Sequence, residues 1–409
     1  MKEFFKVTDV EKVFDFITTF DRMDTENVAL TEMIGRVLAT EIYADVNLPD
    51  FTRTIVDGYA VQGKSTFGAS DGNPGYLDVV GTIAMGEVPD VNIGIGNAAR
   101  ISTGGMLPAG ADSVVMIEHT DAIDNTTIEV YRSVAPGQNT VGVGEDFKKK
   151  SLLLNRGQKI RAQEVGLLAA FGHQSVAVYR RPKIGIISTG DEIVPTDEIP
   201  KPGQIRDINT YSLAAMVSET GAIPVTYGII KDNFDALFET CTRALAECDM
   251  VLISGGSSVG TRDFTVDVIS AFSGAEILVH GISISPGKPT ILARIQQKPY
   301  WGLPGHVVSS MVVFSRIVLP FIEHISGLSP GTGNKLKLKA LLTRNVSSAQ
   351  GRVDYIRVRL STENGGLYAE PILGKSALLN TMVKADGLIE VDRNTEGLDE
   401  GTAVDVIPL

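Results

Sequence analysis

Five short stretches of this chain stand where an apolar run stops, and four of them place charged or hydroxyl side chains there, most beside glycine. They are Ser188-Thr189-Gly190-Asp191-Glu192, Lys231-Asp232, Ser254-Gly255-Gly256-Ser257-Ser258 running on to Asp263, Ser285-Pro286-Gly287-Lys288-Pro289, and Leu303-Pro304-Gly305. Glycines lack a Cβ and let backbone N–H groups turn toward an anion, and the hydroxyls add donors. Lys288 is a point charge suited to phosphate oxygens. Glu192, Asp232 and Asp263 would repel the same ligand unless a cation neutralised them. Mg²⁺ takes one or two protein oxygens plus oxygens of its ligand, so these three carboxylates are candidate Mg²⁺ ligands. An ordinary strand-to-helix turn accounts for any one such loop. Several together, at the carboxyl ends of strands in one open sheet and beside helix N-termini, point to a phosphate-bearing ligand. No Ser-His-Asp or Cys-His set is visible. The five histidines, His119, His173, His280, His306 and His324, lack metal-ligand spacing, which argues against zinc. The implied chemistry is metal-assisted, at a phosphoryl group, without a covalent intermediate.

Composition narrows the partners. The chain has 409 residues, 43% hydrophobic and 21% charged, in the range of a globular protein of several domains. A net charge of −12 argues against general affinity for nucleic acid or acidic membrane. An anionic ligand must therefore meet local basic residues or a bridging cation. The N-terminus MKEFFKVTDV has no apolar core of signal length, and residues 306–322 are broken by Ser309, Ser310, Ser315 and Arg316, too polar to span a bilayer. Cys241 and Cys248 lie seven apart on one expected helix, roughly 10 Å from each other and too far for a disulfide. They read as core thiols of a cytoplasmic protein.

The elements that must position these groups follow from periodicity. Residues 8–20 have Val10, Val13, Phe14, Ile17 and Phe20 at helical spacing behind a Thr8 or Asp9 cap. Residues 26–45 suggest two extended segments around a bend. Asp57-Gly58 has the composition of a hairpin turn. Residues 76–133 are short Val/Ile/Gly-rich runs, mostly strand, with a helical period only around Asn97–Ile101. From Arg180, strands and helices alternate, which implies a parallel sheet covered on both faces. Residues 335–409 return to short alternating strands, a small sandwich or barrel, with Arg344, Arg352, Arg357 and Arg359 as a local basic edge whose members, taken singly, read as solvated surface.

The expected class is a multidomain α/β protein. It has an N-terminal discontinuous α+β domain (1–45 and 147–180), an inserted mostly-β domain (46–146), a central parallel-sheet α/β domain (181–328) and a small C-terminal β domain (329–409).

As a set, FTRTIVDGYAV, RISTGGMLPAGADSVVM, GEDF, ISTGDE, LISGGSSVGTRDF, SPGKP, GLPGHVVS and GRVDYIRV resemble, in this order, the motifs of the MoeA family of molybdopterin molybdenumtransferases. The C-terminal half of eukaryotic gephyrin is similar. The resemblance runs from about residue 5 to the C-terminus. It implies a homodimer of four-domain subunits in which residues 1–45 and 147–180 dimerise, and a cleft between the α/β domain of one subunit and the inserted domain of the other. There adenylylated molybdopterin and molybdate, or tungstate, would react with Mg²⁺ present and release AMP. By motif, Asp57, Thr103 and Asp146 would come from the inserted domain. Glu192, Asp232 and Asp263 would stand near the nucleotide phosphates and Mg²⁺, with Ser188, Thr189, Gly190, Ser254, Gly255, Gly256 and Ser257 forming the substrate loops. Lys288, with Pro286, Gly287 and Pro289, would surround the oxoanion together with Ser309, Arg352 and Ser376, for which Thr381 is a rival.

Three positions depart from the family pattern. Ser285 stands where a lysine is common, His306-Val307 where Asn-Pro is common, and Thr52 where an aspartate is frequent. The missing lysine removes one positive charge from the expected oxoanion site. Two other functions fit parts of the pattern. One is a molybdopterin adenylyltransferase, which is also a candidate protein partner. The other is a non-catalytic gephyrin-like scaffold. The Asp57 and Arg352 motifs argue against the first and the intact acidic set against the second.

Overall fold

A computed structural model describes residues 7–255, 264–330, 336–363 and 365–409. They form two compact units. One comprises Glu41–Asn155 with Ala170–Gly172; the other comprises the described residues up to Thr40, Arg156–Ala169 and His173–Leu409.

The Glu41–Asn155 unit is built on a six-stranded sheet in the order Ser113–Met116, Gly58–Val61, Asn97–Ile101, Gly75–Ile83, Thr127–Val130, Thr120–Ala122. Asn97–Ile101 is thus a strand, not a helix. It pairs antiparallel with Gly58–Val61 and parallel with Asp78–Ile83, and Ala98, Ala99 and Ile101 are buried. Burial on both faces removes the two-residue alternation by which strands are recognised. Asp57-Gly58 is likewise no hairpin turn. Gly58 is paired on both sides, opposite Ile101 and Met116.

In the larger unit the N-terminal helix is shorter than its apolar spacing suggests. Val10–Phe14 is α-helical, and the chain then tightens into a 3₁₀ turn at Ile17–Thr19, where the Thr19 hydroxyl donates to Phe16 O at 2.7 Å. Thr25–Ala29 pairs antiparallel with Ser175–Tyr179.

The central sheet runs Ile223–Ile230, Lys183–Thr189, Met250–Ser254, Lys298–Leu303, Ile291–Ile295, Glu276–His280. Its first four strands are parallel, and the last two join antiparallel. The antiparallel edge comes from a tight turn in which Gln296 and Gln297 both take positive φ, 51° and 61°. Such turns normally use Asn or Gly, so the sequence gives little warning of this one. Helices Asn209–Thr220 and Phe234–Glu247 carry the crossovers; the first ends at Gly221 in the left-handed region, the second is capped by the Asn233 side chain on Ala236 N. The chain leaves Lys183–Thr189 toward one edge and returns to its other side at Met250–Ser254. The order therefore reverses between these two strands, and a crevice opens beyond their carboxyl ends.

A helix over Val307–Ile325 closes one face. Among the described residues it is long and apolar enough to cross a membrane by composition, contrary to the reading of its serines and arginine as disqualifying. Val312, Val313, Phe314, Ile317, Phe321 and Ile322 pack into the core with Trp301. Each large side chain so buried contributes about 1.5–3 kcal/mol. Pro320 lacks an N–H, and the turn before it, Phe314–Val318, widens to π geometry.

The C-terminal strands close into a five-stranded barrel. Val353–Glu363 pairs with Gly366–Pro371 and, at its other edge, with Gly387–Val391, and Leu338–Leu342 and Ala403–Pro408 complete the ring. The start of Val353–Glu363 also pairs in parallel with Ile284-Ser285, immediately before the Pro-Gly-Lys-Pro loop. The even positions of this strand, Ile356, Val358 and Leu360, join the barrel core, while Val353 and Tyr355 pack into the core of the α/β sheet.

Candidate functional site

The strand-end loops and the barrel line one large open cleft of about 1330 Å³. Its α/β wall begins at Thr189-Gly190. The Thr189 hydroxyl donates to Asp232 Oδ1 at 2.9 Å, locking the ends of neighbouring strands together. Glu192 folds back over Gly190, where an added Cβ would lie 2.7 Å from Glu192 Oε2. Glu192 and Asp232 both line the cleft. Gly255 has φ +111°, and a Cβ there would meet Thr189 O at 2.1 Å, so only glycine lets the two central loops approach this closely. Gly256, Ser257 and Asp263 lie outside the described residues.

Two of the expected substrate residues are spent on holding the loops. The buried Ser188 hydroxyl donates to Asp207 Oδ1 at 3.1 Å and bonds Thr210 Oγ1 at 2.8 Å. Ser254 Oγ accepts from Asn209 Nδ2 at 2.6 Å, and the same amide donates to Gly305 O at 2.8 Å. Asn209 therefore ties the ends of two adjacent strands. The sequence placed it merely at the start of a helix, and only its short polar side chain beside Asp207 hinted at more.

Pro286, Gly287, Lys288 and Pro289 form the far end of the crevice, with Lys288 exposed into it. Gly287 has φ +120°, and a Cβ would meet Val313 Cγ2 at 2.4 Å. Ser309, 5% exposed, lines the cleft from the first turn of its helix. Ser376 lines it too, with Oγ 2.9 Å from His306 Nδ1 and its carbonyl accepting from Val308 N. Thr381, by contrast, is buried and donates to Leu378 O. Arg352 reaches the cleft held by a carboxylate: Nε lies 2.9 Å from Asp354 Oδ1.

Arg357 lines the same wall, although the sequence offered it only as one of several surface arginines. It is 7% exposed, donates from Nη2 to Gly374 O at 2.9 Å, and its pKa is lowered by burial.

In the other unit, Thr103 donates to Asp57 Oδ1 through its backbone N–H at 2.7 Å and through its hydroxyl at 3.2 Å. Asp146 is exposed on a separate turn, its N–H donating to Leu48 O.

No group of three acidic, His or Cys side chains poised for a metal is present among the described residues. Two carboxylates facing a cleft nonetheless fit Mg²⁺, which takes one or two protein oxygens and draws the rest from water and ligand phosphates. The cations along the barrel side suit a ligand carrying several negative charges.

Opposed charges at the switch point of an α/β sheet are the setting of a binding site that suits phosphate- or oxoanion-bearing ligands. Comparison with known proteins names the family. Residues 8–172 match the model of the MoeA N-terminal region (domains I and II), and residues 339–409 that of the MoeA C-terminal region (domain IV). Between them, residues 185–324 match the model described as "Probable molybdopterin binding domain". The molybdopterin molybdenumtransferase of Bacillus subtilis is 34% identical over 388 residues, covering 94% of this chain and 90% of that protein. Its namesake from a Nostoc species is 39% identical, covering 78% and 74%. The crystal structure of a molybdopterin biosynthesis MoeA protein from Pyrococcus horikoshii OT3 superposes with a TM-score of 0.85 at 32% identity, over 99% of this chain and 100% of that one. The chain belongs to the MoeA family; it is a transferase of molybdenum cofactor biosynthesis.

Proposed function

We propose that this enzyme inserts molybdate, or tungstate, into adenylylated molybdopterin in a Mg²⁺-dependent reaction that releases AMP. The observation that carries this reading is the division of charge in one cleft, with Glu192 and Asp232 on the α/β wall and Lys288, Arg352 and Arg357 along the barrel side. The related enzymes of Bacillus subtilis and Nostoc are named for molybdenum transfer to molybdopterin, which fits a substrate with a phosphate at one end and a metal-accepting group at the other.

In this reading Glu192 and Asp232 would hold Mg²⁺, with Asp263 as a third candidate. When bound, the cation would neutralise phosphate charge and ease departure of AMP. Gly190 and Gly255 give the phosphates backbone to approach. Lys288, Ser309, Arg352 and Ser376 hold the oxoanion by charge and hydroxyl donation, at the end of the cleft away from the carboxylates that would repel it. Ser188 and Ser254 act by fixing the loops. The protein is read as a homodimer, with the Asp57–Thr103 cluster and Asp146 of each subunit completing the cleft of the other. A monomeric variant should then fold and be inactive, and a fully active monomer would overturn that part.

The decisive assay incubates purified protein with adenylylated molybdopterin, Mg²⁺ and molybdate. AMP release should depend on molybdate; AMP release at the same rate without it, or none at all, refutes the reading.

A further inference from the structure

We propose that Arg357 is a further oxoanion-binding residue of this cleft, its buried and carboxylate-free guanidinium receiving a tetrahedral oxoanion at the barrel wall. The inference deepens the function proposed above and rests on the charge around one side chain.

Strand geometry places Arg357. Odd positions of Val353–Glu363 face away from the barrel interior, and the two before it, Val353 and Tyr355, are sealed against the α/β core. Arg357 follows on the same face, at the point where that contact opens into the cleft. An arginine on the outer face of a barrel ordinarily stands in water, yet this one is 7% exposed.

A cation so buried calls for a counter-charge. None is supplied among the described residues. The cross-strand neighbour of Arg357 is Leu388, and on the other side Ile372 donates its N–H to the Arg357 carbonyl. The nearby Asp354 is occupied by Arg352, by the Ser348 hydroxyl at 2.7 Å and by the N–H of Ala349. The guanidinium makes one hydrogen bond, to the neutral carbonyl of Gly374, and its buried Nε has no partner. Burial also disfavours the charged form. The two arginines of this wall thus differ in kind: Arg352 brings its charge already neutralised, while Arg357 keeps an uncompensated charge and free donors beside the cleft. A planar guanidinium with open donors matches two oxygens of a tetrahedral oxoanion. That chemistry belongs both to free molybdate and to the phosphate of a nucleotidyl substrate.

The test titrates the full-length protein with sodium molybdate, and separately with AMP, by calorimetry, for wild type, Arg357→Gln and Arg357→Lys. Melting temperatures are recorded with and without each anion. Arg357→Gln should weaken at least one of the two anions by about tenfold or more, with partial recovery in Arg357→Lys. Its melting temperature without anion should be unchanged or higher, because a buried unpaired charge has been removed. Loss confined to molybdate assigns the charge to the free oxoanion; loss confined to AMP assigns it to the substrate phosphate; either upholds the proposal. Wild type that ignores molybdate but binds AMP through Arg357 would sink the molybdate reading and leave this inference standing. Arg357→Gln that binds both anions as wild type does, or that merely melts lower with anion-induced stabilisation intact, would show that the bond to Gly374 is the whole role of Arg357 and overturn the proposal.

Discussion

Across the cleft, Glu192 and Asp232 stand on loops of the α/β sheet, while Lys288, Arg352 and Arg357 line the side where the sheet meets the barrel. The acidic side is fixed from within. Thr189 holds Asp232, Asn209 ties the ends of two strands, and Gly255 allows the central loops to touch. The cationic side is fixed by register, since one barrel strand pairs with Ile284-Ser285, carries Arg357 and has Arg352 immediately before its first residue. The first arrangement sets two carboxylates on neighbouring strand-end loops of one cleft, which suits a cation that bridges to an anionic ligand. The second spreads positive charges along a seam, which suits an anion with several oxygens. Under the proposed function, a substrate that engages both sides would present a cation-bound phosphate at one end and meet an oxoanion partner at the other.

Substitutions on each side can break that division. The largest effect is expected from Glu192→Gln. Maximal molybdate-dependent AMP release should fall about a hundredfold, and the Mg²⁺ concentration for half-maximal rate should rise. An unchanged Mg²⁺ titration would remove Glu192 from the cation's ligands. Lys288→Met should instead leave the Mg²⁺ titration alone and raise KM for molybdate about tenfold, the cost of losing one charged hydrogen bond. If both variants shift the same parameter, the two sides do not divide the work. The smallest effect is expected from Ser285→Lys, which adds charge on the cationic side. It should change the molybdate-to-tungstate preference by a few fold, within the range of one exposed charge. Identical preferences in the two proteins would dismiss Ser285 as a determinant.

Much of the acidic side was legible in the sequence, because each of its residues follows an apolar run and stands at or beside a glycine or a helix start. The physics is local: a parallel strand must end in a loop, and the loop declares its chemistry. Ser188 and Ser254 show the limit of that reasoning. Their hydroxyls are of the right type in the right loops, yet they point inward to Asp207, Thr210 and Asn209, partners that the crossover helix and the residues leading into it supply. The antiparallel edge was hidden because Gln296-Gln297 adopts a glycine-like turn without glycine. Asn97–Ile101 was hidden because a strand covered on both faces loses its alternation. Arg357 was hidden for the opposite reason. The alternation of Tyr355, Arg357 and Arg359 with Ile356, Val358 and Leu360 was plain and implied solvent on the odd face. What covers that face lies far away in the sequence, and no local pattern records it.

The shared strand Val353–Glu363 has one more consequence. Its first residues, Val353 and Asp354, pair with Ile284-Ser285, the segment between two strands of the α/β sheet, its later ones pair only within the barrel, and Arg352 and Arg357 flank that changeover. The piece of chain that supplies the two arginines of the cationic lining is therefore separate from the loops that carry Glu192 and Asp232, although Lys288 stays with the sheet. If the proposed roles hold, ligand choice could be retuned at positions 352 and 357 while the sheet that would hold the cation stays as it is, much as a lock is re-keyed without rebuilding its door.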